Sequence, residues 1–344
     1  MVSSIGFGAM RIPQVPLAQA IETVRLAVEL GINLFETAPG YGDSEQRLGK
    51  ALKGLRDKVY LSSKSANRDG AGLRKDLEES LRRMRTEYLD LYHLWCVNHR
   101  HEFEDAIKKG GALEEIKKAK AHGLVRHIGI TTHARPQDII DFIQTGEFET
   151  VEIYYNVADR GPRVVLPVAN RLDVGVMIMG PLRGGFLAHG SPRLGFLRGG
   201  LELTNAQGAL LWLLSQGEIA TALVGHSHPE EVRQALAVLD TPPFVEEKLA
   251  EIAGAMEGLS GGKQNICGGC GYCAPCPEGI FIPAILSLLY YYDVLELKDY
   301  ASSGYARMDV KGDSCTQCNQ CIPRCPHNID IPERLRDAHS KLTG

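Results

Sequence analysis

Residues 1 to 240 repeat one pattern eight times: a short β-rich run, followed in most cases by a stretch with helical periodicity. The runs are SIGFGAM, INLFET, VYLSSK, LDLYHLW, RHIGITT, TVEIYY, GVMIMG and ATALVG. Apolar residues at helical spacing mark 18–30, 72–84, 113–122 and 229–239. Gly31 and Gly123 suit helix C-termini, and Thr204 can cap the helix that contains LLWLL. Parallel neighbours need a crossover connection, and eight such units close on themselves. The expected fold is therefore α/β, a (β/α)8 TIM barrel rather than a doubly wound sheet. No GxGxxG follows the first run, which also disfavours a dinucleotide-binding sheet.

The pattern stops near LSGGKQN, residues 259–265, and the composition changes. Two domains are expected, a barrel over 1–258 and a small second domain over 259–344. Of nine cysteines, all but Cys96 lie in the second. CGGCGYCAPCP supplies Cys267, Cys270, Cys273 and Cys276; CTQCNQCIPRCP supplies Cys315, Cys318, Cys321 and Cys325. The later run has the CxxCxxCxxxCP spacing that holds cubane iron–sulfur clusters, in which the fourth cysteine serves the other cube. By that rule Cys267, Cys270, Cys273 and Cys325 hold one [4Fe–4S] cluster, and Cys315, Cys318, Cys321 and Cys276 hold the second. Two four-thiolate zinc sites are the alternative, but zinc motifs pair two CxxC knuckles and have little use for a tripled one. The first run departs from the pattern, with two residues rather than three before its last cysteine. The segment between the runs, with IPAILSLLYYYDVLELKDY, looks helical, so a mostly helical ferredoxin-like module is expected.

A net charge of -4 and a pI near 6.3 give no electrostatic case for nucleic acid or an anionic membrane. The first residues lack the basic start and apolar run of a secretory signal. No apolar run approaches the roughly 20 residues of a membrane helix. A cytoplasmic protein is expected.

Barrel enzymes work at the C-terminal ends of their strands. Those ends carry Glu36 and then Tyr41 in FETAPGYGDSE, Lys64 in LSSKS, and Trp95 in LDLYHLW. A tyrosine titrates at about 10, and a neighbouring lysine cation lowers that value by favouring the phenolate. A carboxylate beside the lysine can keep it charged and aimed. This set suits a general acid. His93 shares the inward face with Trp95 but lies about 6–7 Å deeper, so it reads as a buried, hydrogen-bonded residue beneath the pocket. His133, at the end of the fifth run, is a further pocket residue. His99 and His101, in NHRHEFED, read as a solvated polar loop, and Cys96 as a small buried residue.

From end to end the chain resembles the aldo/keto reductase family, in the branch with a C-terminal iron–sulfur extension. The resemblance rests on GFGAMRIP, GINLFETAPGYGDSE, YLDLY, HIGITTH, MGPLRGG, VGHSHPEE and CGGCGYCAPCP, in that order. It implies an oxidoreductase in which tyrosine protonates a carbonyl while a nicotinamide delivers hydride. Of the family's Asp, Tyr, Lys and His, two match as Tyr41 and Lys64; the aspartate position is Glu36 and the histidine position Trp95. Thr131, Thr132 and Glu152 stand where the family holds the carboxamide. Gly225, His226 and Ser227 offer backbone donors where it cradles the adenosine phosphate. Glu231 replaces the arginine of NADP-choosing members, so NAD(H) is preferred over NADP(H); a flavin is left open. The expected partners are a small-molecule substrate and a ferredoxin or another redox protein, and the oligomeric state is open. The alternative reading is an electron-transfer protein whose barrel is a catalytically silent docking scaffold.

Overall fold

The computed structural model describes residues 1–260 and 267–344, so most of the expected break at 259–265 lies outside the described residues. The eight runs form β1 (Ile5–Gly8), β2 (Leu34–Glu36), β3 (Tyr60–Ser65), β4 (Leu89–Leu94), β5 (Val125–Thr132), β6 (Thr150–Tyr154), β7 (Gly175–Met179) and β8 (Ile219–Gly225). All neighbours are parallel, and β1 pairs with β8, so the sheet closes into a barrel in sequence order. This is the TIM-type fold expected.

The helices follow from local sequence. Asp69 accepts a hydrogen bond from the Gly72 amide at 2.8 Å and starts the helix Gly70–Met84. Leu73, Leu77, Ser80 and Met84 recur on one face and are buried, and Arg85 ends the helix in the left-handed conformation. Gly31 and Gly123 turn at φ +97° and +77° behind their helices, a conformation only glycine adopts cheaply. NHRHEFED is not a loop. Glu102 accepts from the amides of Asn98 and His99, a reciprocal cap that starts the helix Arg100–Ile107, whose Phe103 and Ala106 are buried.

The chain forms two compact units that do not follow simple chain order. One comprises Met1–Pro181 and Gln207–Val245; the other joins Leu182–Ala206 to Glu246–Gly344. The segment after β7 groups with the second unit because its aromatic side chains pack there: Phe186 lies 4.5 Å from the ring of Tyr290, and His189 5.1 Å from that of Tyr291. In that unit the helices Ile282–Asp293, Lys298–Ala306 and Ile331–Leu342 share a core of Ile285, Leu289, Tyr305 and Leu335, among others. Cys273 is part of that core, and Cys267, Cys276, Cys315, Cys321 and Cys325 pack against it. Among the described residues no helix is long and apolar enough to cross a membrane.

Candidate active site

Strand alternation places Glu36, Ser62, Lys64, His93 and Glu152 inside the barrel. Lys64 is ion-paired to Glu36 on the adjoining strand and lies 3.6 Å from Glu152. Since β3 and β6 are not neighbours, that second contact crosses the lumen. Lys64 is fully buried; burial pulls its pKa down, while the carboxylate of Glu152 opposes the shift. A cation here is held between two acids in a low-dielectric core.

Above it lies Tyr41, half-buried, with the Lys64 ammonium 5.2 Å from its ring centre. Trp95 meets Tyr41 edge-on at 5.8 Å and lies 5.9 Å from the same ammonium. The indole is seated against Gly40, where a Cβ would come within 2.7 Å of it. The structure therefore brings Glu36, Tyr41, Lys64 and Trp95 together, although they come from three different strand ends.

His93 belongs to the layer below. Its Nδ1 is 3.2 Å from the Ser62 hydroxyl and its Nε2 3.0 Å from that of Thr150. The ring is fully buried, and burial together with the Lys64 charge drives its pKa down to about 3. It is a neutral ring that fills the space left by Gly129, where any Cβ would collide with His93 and Thr150. His133 lies higher, its amide donating to Asn98 Oδ1 and its ring 5.7 Å from that of Tyr154. Tyr154, Ser62 and Thr150 were not singled out in the sequence. All three face inward on their strands, and the alternation in TVEIYY marks two of them.

The expected nicotinamide positions are not equivalent. Thr131 Oγ1 accepts from the Cys96 amide at 3.0 Å, and Thr132 Oγ1 donates to the Val97 carbonyl at 2.6 Å, so both brace the loop after β4. Glu152 keeps one buried oxygen without a hydrogen bond, 3.6 Å from Lys64. After β8, the Ser227 and His228 amides donate to Glu231 Oε2 at 2.6 and 3.1 Å, and the Ser227 hydroxyl does so at 3.1 Å. The helix Pro229–Leu236 thus begins with its own carboxylate on the donors a phosphate would use. The His226 ring is buried 5.2 Å from Phe7, and burial lowers its pKa to about 4. Gly225 lies against the side chain of Arg11.

In the second unit the thiols gather in two sets. Burial raises the Cys267, Cys270, Cys273 and Cys321 thiols; Cys325 adds to the rise at the first three, Cys321 also acts on Cys273, and Cys315, Cys318 and Cys276 act on Cys321. One pocket is lined by Cys276, Cys315, Cys318 and Cys321 together with Cys273. Burial pushes the Cys270 and Cys273 thiols up to about 12, which disfavours the bare thiolate and leaves it to be stabilised by a bound cation. Among the described residues no three ligating side chains meet on a point suited to one metal ion. A cubane asks for something different, since each thiolate meets its own iron. The donor set, eight thiols in two fours, fits that group.

A model of the aldo/keto reductase family matches residues 4–257, and a 4Fe–4S dicluster domain matches residues 266–331. L-galactose dehydrogenase of Arabidopsis thaliana is 31% identical over 295 residues, 74% of this chain and 91% of that protein. The NADH-specific methylglyoxal reductase of Escherichia coli (strain K12) is 26% identical over 273 residues, 64% and 82% of the two chains. Among solved structures, an aldo-keto reductase from Bacillus halodurans aligns with a TM-score of 0.65 at 26% identity, covering 74% of this chain and 92% of its own. One from Klebsiella pneumoniae in complex with NADPH gives 0.64 at 26% identity, with 73% and 90% coverage. A barrel with Tyr41 and Lys64 at adjacent strand ends, matched along its whole length, makes this chain a member of the aldo/keto reductase family, an oxidoreductase that carries a C-terminal 4Fe–4S dicluster domain.

Proposed function

We propose that the barrel reduces a small aldehyde or ketone, with Tyr41 as proton donor to the carbonyl oxygen. When bound, a nicotinamide supplies the hydride. The phenol proton moves to the oxygen as charge develops there, and the phenolate left behind is reprotonated from solvent. Lys64 stabilises that phenolate, and Glu36 keeps the ammonium charged and oriented. Trp95 forms a wall of the pocket against Tyr41, and His133 lies beside Tyr154. His93, neutral and saturated with hydrogen bonds, supports this layer without touching substrate.

The observation that carries the reading is the buried Lys64 ammonium, paired with Glu36 and 5.2 Å from the Tyr41 ring. Burying a charge this completely is costly unless it is paired. NAD(H) is the preferred nicotinamide because Glu231 both occupies the anion site and repels a 2′-phosphate. Cys267, Cys270, Cys273 and Cys325 would hold one [4Fe–4S] cluster, and Cys276, Cys315, Cys318 and Cys321 the other. These one-electron centres suit exchange with a ferredoxin or another redox protein.

The test is NADH oxidation against a panel of short aldehydes. Tyr41→Phe is expected to lose at least about 100-fold in kcat with the fold intact, the usual worth of a general acid. An unchanged rate would instead make the barrel a scaffold. Cys318→Ala then separates the roles: retained NADH turnover confines the cubanes to a structural or regulatory part, and turnover lost while the barrel remains folded puts them in the electron path.

A further inference from the structure

Arg183, at the start of the Leu182–Ala206 segment, is placed unusually for a cation. It is only 4% exposed, and its backbone lies in the left-handed region at φ +50°, which few residues other than glycine adopt. Such strain persists where the surroundings hold it, often for function. The guanidinium carbon stands 5.1 Å from the centre of the Tyr290 ring, and Nη1 donates to the Tyr290 hydroxyl over 3.3 Å. Phe186 packs on the same ring at 4.5 Å.

The next residue fixes where this bend sits. A Cβ on Gly184 would come within 3.2 Å of the Gly268 carbonyl, and one on Gly269 within 3.4 Å of Gly184 Cα. The Arg–Gly–Gly bend therefore rests on the backbone between Cys267 and Cys270.

We infer that Arg183 sets the reduction potential of the iron–sulfur centre assigned to Cys267, Cys270, Cys273 and Cys325. This rests on the proposed pairing of the cysteines. A cubane on four thiolates is already anionic, and reduction adds one more negative charge. A fixed, desolvated cation nearby stabilises the reduced form more than the oxidised one and raises the potential. Arginine suits this task because it cannot lose its proton. Tyr290 is the positioning residue that aims it.

The experiment is a redox titration of the anaerobically purified full-length protein, followed by electron paramagnetic resonance, with iron and sulfide content measured in parallel. Arg183→Met should move one of the two reduction waves to more negative potential and leave the other in place. Arg183→Lys should recover most of the shift, and Tyr290→Phe should give a smaller shift of the same sign. Two intact centres with neither wave moved, or with both moved equally, would overturn the inference. Should Arg183→Met fail to retain its cluster, Tyr290→Phe decides: a negative shift supports the role and an unmoved wave refutes it. Wild-type protein without iron and sulfide would remove the cluster assignment itself, a result distinct from an unshifted wave.

Discussion

Tyr41, Lys64 and Glu36 lie within 29 residues of one another in the chain, which is why their strand-end positions could be read directly from FETAPGYGDSE and LSSKS. The lumen-crossing contact of Lys64 with Glu152 was not legible, because it depends on barrel closure rather than on any local pattern. His93 shows the reverse: alternation alone put it beneath the mouth, and its bonds to Ser62 and Thr150 complete that picture. Its folded pKa, about 3, lies below its unfolded value near 6.5. Between those values the unfolded chain binds the extra proton, so stability must fall as pH drops through that window. The slope contributed by this ring approaches about 1.4 kcal/mol per pH unit. Urea unfolding from pH 7 to 4 should show it, and His93→Gln should flatten that dependence whatever it does to absolute stability. An identical slope in the variant would mean that the ring is charged in the folded state.

At the scale of elements, strands were legible because eight β-rich runs are punctuated by turns, and long helices because their buried faces recur. Gly70–Met84 and Pro229–Leu236 begin within two residues of the expected 72 and 229. The helix Arg100–Ile107 was hidden because its sequence is dominated by charge, and what starts it is the Glu102 cap. A second cap of the same kind carries a functional prediction. Glu231→Gln keeps a side chain able to cap the helix Pro229–Leu236 and removes the charge from the proposed phosphate site. NADPH should then gain at least about tenfold in kcat/KM relative to NADH, since like charges at a binding site cost upwards of 1 kcal/mol. Steady-state kinetics with both nucleotides give the ratio. A ratio unmoved by the substitution would place the specificity elsewhere.

For the whole molecule, composition showed the change at the cysteine runs, but it could not show that Leu182–Ala206 packs with the later residues, because that grouping rests on non-local aromatic contacts. Two cubanes require about eight iron and eight sulfide per chain. Chemical analysis of anaerobic protein should find them, and Cys270→Ala should lose or degrade one centre. Stoichiometric zinc in their place would contradict the assignment. The barrel chemistry proposed for this chain turns on the Tyr41 hydroxyl. The most direct measurement is a single-turnover anaerobic oxidation of bound NADH by a short aldehyde, comparing the native protein with Tyr41→Phe. Rapid loss of the reduced nicotinamide absorbance is expected in the former and a rate slower by about 100-fold or more in the latter. Equal rates in the two proteins would rule out Tyr41 as the proton donor.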